Sequence, residues 1–202
     1  MSEFIHIHQP LILASGSAIR AQMLKAVGLR FSVMPSGVDE AELKNQMMGQ
    51  DLPTQAQMLA RAKARSVAQQ HPESITIGAD QICELAGEAL SKPGTHDKAE
   101  AQLARLSGQT HWQHSAVCLM RGEELLWEHC ASAALSMRVM TENEIKAYVH
   151  YDQPLHSCGS YKYESMGRHL FSRVEGDADV IKGLPLTALL LTLYSHSILS
   201  MG

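Results

Sequence analysis

The 202-residue sequence predicts an α/β fold, on three observations. An apolar run, Leu11 to Ala14, breaks at Ser15-Gly16-Ser17 and resumes with helical spacing, which reads as a strand, a turn and a helix. A second strongly apolar stretch, Ile75 to Cys83, follows a long amphipathic segment. Thr110 to Val139 then reads as two long strands joined at Arg121-Gly-Glu-Glu124. Helices alternating with strands in this way are expected to pack on the faces of a sheet.

Leu11 to Ala14 are too few and too apolar for a surface helix, so a buried strand is expected. From Ala18 onward Met23, Leu24 and Val27 share one helical face, and Gly28 is placed to end the helix. The turn between them aims several free backbone N–H groups at one spot, where the helix dipole favours negative charge and which Arg20 can reach. The stretch fits a phosphate cradle, but taken by itself it fits the capped start of a core helix better. Phe31 to Pro35 reads as another strand, and Asp39 and Glu40 follow on a loop, where neighbouring carboxylates are ordinarily solvated. Thr54 is expected to cap a helix running to about Gln70, with Leu59, Ala62 and Val67 apolar and Arg61, Lys63 and Arg65 charged.

In the strand from Ile75 to Cys83, Asp80 and Gln81 interrupt an apolar setting. A carboxylate there is costly unless it is paired or binds a metal, which makes Asp80 the most informative residue in the chain. Gly87 marks a turn after which Leu90-Ser-Lys-Pro93 brings Lys92 back beside that strand. Asp97 is expected to cap a helix to Leu106, closed by Ser107-Gly108, and Thr141-Glu-Asn-Glu144 is a capping box for a helix to about Val149. His156 to Gly167 is polar, glycine-containing and rich in groups able to read a ligand. Phe171 to Val174 reads as a short strand. Gly183-Leu-Pro185 opens a C-terminal helix to about Leu199, shorter than the roughly 20 residues of a membrane span.

Composition narrows the function classes. The chain is 45% hydrophobic and 19% charged, with net charge −4 and no basic block, which argues against a nucleic-acid polymer as partner while leaving room for a local basic cleft. The four cysteines form no C-x-x-C pair, so reduced thiols in a cytoplasmic protein are expected. No basic n-region precedes the apolar start, which His6 and His8 interrupt, so a secretory signal is not expected. His6-x-His8 and His111-x-x-His114 lack partner ligands at metal-binding spacing and read as surface histidines. Neither a P-loop nor G-x-G-x-x-G is present, and Ser15 and Ser17 lack the G-x-S-x-G context of a nucleophile elbow.

One combination stands out. An anion-binding turn with Arg20, the carboxylates Asp39 and Glu40, Lys63, Asp80 on a strand, and Lys92 before a proline together supply cations for phosphate oxygens and hard ligands for a divalent metal. That is the equipment of phosphoanhydride hydrolysis. In order along the chain, Leu11-Ile-Leu-Ala-Ser-x-Ser17, Val38-Asp-Glu40, Ala62-Lys-Ala64, Gly78-Ala-Asp80, Lys92-Pro93, Leu106-Ser-Gly108, Glu175-Gly176 and Gly183-Leu-Pro-Leu186 resemble the Maf family of nucleoside triphosphate pyrophosphatases.

The resemblance implies an elongated mixed sheet flanked by helices, two lobes around a central cleft within one domain over residues 1–202, a homodimer and a cytoplasmic location. It implies hydrolysis of the α–β phosphoanhydride of a nucleotide, with Mg²⁺ or Mn²⁺ as cofactor. Asp80 matches the family's general base. Ser15, Ser17, Arg20, Lys63 and Lys92 match its phosphate-binding groups, and Glu40, with Asp80, its metal site. Asp80-Gln-Ile-Cys83 and Pro154 to Glu164 resemble the branch that converts 7-methyl-GTP to 7-methyl-GMP and diphosphate, with Gln81 and Glu164 reading the base. Ile19 departs from that branch, which carries Trp there, and an aliphatic side chain offers no cation–π contact to a methylated base. Tyr161 and Trp112 are the rings available to take its place. The alternatives are a dTTP/UTP pyrophosphatase and a non-catalytic, nucleotide-binding regulator of cell division.

Overall fold

The computed structural model describes residues 4–202, the side chains of Ala41, Lys44 and Asn45 excepted. Its strands are β1 (Ile5–Ile7), β2 (Leu11–Leu13), β3 (Ser32–Val33), β4 (Ile75–Leu85), β5 (Glu88–Leu90), β6 (Thr110–Arg121), β7 (Glu124–Met137), β8 (Phe171–Glu175) and β9 (Leu199–Met201). Its helices are α1 (Ala18–Ala26), α2 (Glu40–Gln46), α3 (Leu52–Ala68), α4 (His96–Leu106), α5 (Glu142–Asp152), α6 (Ala178–Ile181) and α7 (Leu186–Ser195).

One mixed sheet of seven strands runs in the order β3-β2-β4-β6-β7-β8, with β5 also on β4. β2 lies parallel to both β3 and β4, and the remaining pairs are antiparallel. The chain therefore leaves β2 to one side and returns on the other, and in sheets of this kind ligands bind beyond the carboxyl ends of the parallel strands at such a reversal.

β4 decides where the site falls. β2 pairs with it only over Ile75–Ile77 and β5 only over Cys83–Leu85, while β6 pairs along its other edge from Thr76 to Glu84. Residues 78–82 thus have no strand on one side, and the sheet opens there. On either side of this opening sit two apolar clusters. One joins β2, α1 and α7 through Leu13, Leu24 and Leu189, and the other joins α4 and α5 to the far half of the sheet through Leu103, Leu135 and Val149. A third cluster holds α3 against the opposite face through Leu59, Ala60 and Ala64.

The helix ends correct several expectations. Asp51, not Thr54, is the N-cap of α3, its side chain accepting from Thr54 N with Pro53 just inside the helix. Thr95, not Asp97, caps α4 in the same way, and Asp97 lies in the first turn, where a negative charge suits the dipole. Thr141 and Glu144 form the expected capping box, and α5 continues to Asp152. Glu40 is not in a loop but opens α2, with Asp39 accepting from Glu42 N. α7 stops at Ser195, and the chain turns to make β9, which pairs antiparallel with β1. No helix among the described residues is long and apolar enough to cross a membrane.

Candidate active site

The gap along β4 opens into a cavity of about 870 Å³. Alternation along the strand sends Asp80 to the face covered by α3 and Gln81 to the opposite face, beside α6. The residues singled out from the sequence converge on this space. Ser15, Ser17, Ile19 and Arg20 come from the end of β2 and the start of α1, Glu40 from α2 and Lys63 from α3. Asp80 and Gln81 come from β4, Lys92 follows β5, and Glu164 lies in the segment after α5.

Lys63 reaches Asp80 because α3 lies unusually close to β4. A Cβ built on Gly78 would clash with the carbonyl oxygen of Ala60 and stand 2.7 Å from Ala64 Cβ, so only glycine lets the helix settle here. The Lys63 ammonium then lies 2.5 Å from Asp80 Oδ1 and 2.8 Å from Glu40 Oε1. Lys63 and Asp80 are 9% and 8% exposed, so this pair is largely withdrawn from water, while Glu40 reaches it from the exposed side. The costly buried carboxylate has its partner.

Arg20 is buried and holds three parts of the site together. Its Nε donates to Gly183 O at 2.7 Å, and its Nη1 to Ser15 Oγ at 3.1 Å and to Ala79 O at 3.0 Å. Ala79 O lies on the strandless edge of β4, so the guanidinium satisfies a ladder carbonyl where no strand does. Burial lowers the Arg20 pKa, and Asp80, Cys158 and Glu40 act against that shift. With three of five N–H donors committed to the protein, Arg20 is a structural clamp as well as a cation on the wall. Ser15 Oγ also accepts from Ser17 N at 3.3 Å, while Ser17 makes no side-chain cap.

Gln81 is less free to read a ligand than the sequence implies. Its Nε2 donates to Val180 O at 3.1 Å and Ile181 O at 2.9 Å, which ties the side chain to α6. Of the two rings anticipated in place of Ile19, only Tyr161 is on the cavity wall. Trp112 is 43% exposed and lies off the cavity. Tyr161 lines the cavity but is buried, its hydroxyl accepting from Gln113 Nε2 at 2.7 Å and bonded to His111 Nε2 at 2.8 Å. Tyr163, which the sequence reading passed over, also lines the cavity, and Arg168 lies over its ring at 4.7 Å.

The second histidine pair departs from expectation too. His111 and His114 are buried rather than on the surface. Burial pushes the His111 pKa down to about 4, and its Nδ1 has no partner. His114 bridges Ser132 Oγ at 2.7 Å and Glu84 Oε2 at 2.6 Å. All four cysteines are thiols, with no disulfide among them.

A divalent metal fits one part of this site. Glu40 and Asp80 aim one carboxylate oxygen each at a single cationic point, which Lys63 Nζ holds. Among the described residues no group of three or more His, Cys, Asp or Glu side chains forms a closed cage. Two hard oxygen donors suit a Mg²⁺-type ion that completes its shell with water and phosphate, and do not suit a structural zinc.

Comparison with known proteins agrees with the motifs. The model of the family described as Maf-like protein matches residues 10–196. A nucleoside triphosphate pyrophosphatase of Legionella pneumophila (strain Corby) is 39% identical over 189 residues, covering 94% of each chain. One of Nitrobacter winogradskyi is 40% identical over 195 residues, covering 96% of each, and one of Ruegeria pomeroyi is 37% identical over 185. Among solved structures, a HAM1 protein from Coxiella burnetii aligns with 15% identity and TM-score 0.40, covering 64% of this chain and 73% of that one, a likeness that decides nothing about the site.

Proposed function

We propose, from the premise that this chain belongs to the Maf-like family, that it is a nucleoside triphosphate pyrophosphatase, a hydrolase that opens the α–β phosphoanhydride to leave a nucleoside monophosphate and diphosphate. The observation that carries this reading is the Lys63 ammonium between the carboxylates of Asp80 and Glu40, on a wall shared with Arg20 and Lys92.

Such a reaction asks for a nucleophilic water and for stabilisation of charge on phosphate oxygens and leaving group. Asp80 is the general base: Oδ1 is engaged by Lys63, and Oδ2 is assigned to the water that attacks the α-phosphorus in line. Arg20, Lys63, Lys92 and the backbone N–H groups of residues 15 and 16 orient the phosphates and offset their charge. Glu40 and Asp80 would hold Mg²⁺ or Mn²⁺, which when bound neutralises phosphate oxygens.

Among nucleotides we place 7-methyl-GTP first. The Glu164 carboxylate on the cavity wall suits the donor edge of guanine. The test is diphosphate release from 7-methyl-GTP, GTP, dTTP, UTP, CTP and ATP, with and without a chelator. Preference for a pyrimidine would keep the chemistry and overturn the role of Glu164. Absence of metal-dependent turnover on every nucleotide would overturn the enzymatic reading.

A further inference from the structure

The cavity has a fourth cation that neither the motifs nor the mechanism above uses. Lys182 lines it from the end of α6, and its side chain is only 20% exposed. Its ammonium lies 2.6 Å from Asp179 Oδ1, one turn earlier, a residue that is not on the cavity wall.

The backbone around Lys182 is fixed by residues of the site itself. Gln81 Nε2 donates to Ile181 O immediately before it, and Arg20 Nε donates to Gly183 O immediately after it. Ser115 Oγ adds a bond to Val180 O at 2.7 Å. Gly183 has φ +101, and a Cβ there would lie 3.3 Å from Gln81 Oε1 and 3.5 Å from Arg20 Nε. The segment is therefore clamped against the two residues that flank Asp80 on the wall, and its lysine is held beside them.

Charge balance gives this position a consequence. Among the described residues on the wall, Glu40, Asp80 and Glu164 oppose Arg20, Lys63 and Lys92. Without Lys182 these charges cancel, and Lys63 is already engaged by two of the carboxylates. Lys182 is what gives the wall an excess of positive charge. Its present partner is a single partly exposed carboxylate, an interaction worth little and easily exchanged for a stronger one with a polyanion.

We propose that Lys182 is a polyphosphate-binding residue of this site, held by Asp179 in the free protein and transferred to a phosphate oxygen when a nucleotide binds. This rests on the reading of the cavity as a nucleotide pyrophosphatase site, and its test is chosen to stand apart from turnover. The probe is inorganic tripolyphosphate, titrated calorimetrically into the full chain from low to physiological salt. Lys182→Met keeps most of the apolar stem and removes the charge. It should weaken tripolyphosphate roughly tenfold at low salt, the size of one charge-assisted hydrogen bond, and flatten the salt dependence. Lys182→Arg should retain most of the affinity, and Asp179→Asn should tighten binding. Tripolyphosphate affinity and salt dependence unchanged in Lys182→Met would overturn the assignment, as would equal losses in the Met and Arg variants. Failure of the enzymatic reading would appear separately, as a wild type that binds tripolyphosphate but turns over no nucleotide.

Discussion

Ala64 sits on Gly78 so closely that a Cβ on the glycine would stand 2.7 Å from the alanine's own. The next residue back along α3 is Lys63, and two residues on along β4 is Asp80. The close approach of two of the smallest residues therefore sets the distance between the two charged ones.

Gly78→Ala should separate them. Overpacking typically costs about 1–3 kcal/mol, and this case falls at or above the upper end, because a Cβ clashing with the Ala60 carbonyl oxygen forces helix and strand apart. The expected outcome is a lowered Tm together with a fall in kcat larger than the loss of folded protein explains. Thermal melts and steady-state diphosphate release on the same preparation would show both, and wild-type kcat in a destabilised variant would refute the link.

Asp80→Asn should lower kcat about 10²–10⁴-fold, the usual contribution of a general base. The amide preserves shape, and Lys63 retains Glu40 as a partner. Tm should change far less than the rate. Full activity in this variant would remove Asp80 from the role assigned to it.

Stability should fall on mild acidification because of His111. Its folded pKa lies near 4 against 6.5 for the ordinary side chain, so between those values the unfolded chain binds the extra proton. The contribution is complete above about pH 6.5 and is lost progressively toward pH 4, by roughly 3 kcal/mol over the window. Urea denaturation at pH 7 and pH 5 measures it. His111→Asn should be less stable at pH 7 yet show a shallower dependence, and an unchanged pH slope would exclude His111 as its source.

Glu164→Gln should change which base is preferred without silencing the chemistry. Loss of a carboxylate acceptor should reduce kcat/KM for guanine nucleotides relative to UTP and dTTP by roughly tenfold, the value of one hydrogen bond to a charged group. A ratio that does not move would show that Glu164 faces the cavity without touching the base.

Much of this was legible in the chain where the cause is local. The apolar run at Leu11, the capping box at Thr141 and the lone carboxylate at Asp80 each carry their reason within a few residues, and each is where its pattern places it. Errors arose where neighbouring residues compete for one role. Asp51 and Thr54, or Thr95 and Asp97, can each supply an N-cap oxygen, and only backbone geometry chooses between them. Long-range pairing left no local mark: β9 is three residues, and its partner β1 lies at the other end of the chain. Tyr161 looked like a ligand-reading residue because its segment is polar, yet its hydroxyl is satisfied internally by Gln113 and His111. Lys182 adjoins the Gly183-Leu-Pro signature, but a single lysine in a sequence does not show which way it points.

The break in pairing along β4 also bears on whether another chain can add to the sheet there. A strand with an open side is a template on which another chain can add its own backbone, the first step of edge-to-edge aggregation. Here the opening is bounded by β2 and β5, and Arg20 occupies one of its carbonyls. An incoming strand finds too short a run and a guanidinium already in place. The interruption that admits a small molecule is thus a poor template for a polypeptide, and both consequences come from the same five residues, 78–82.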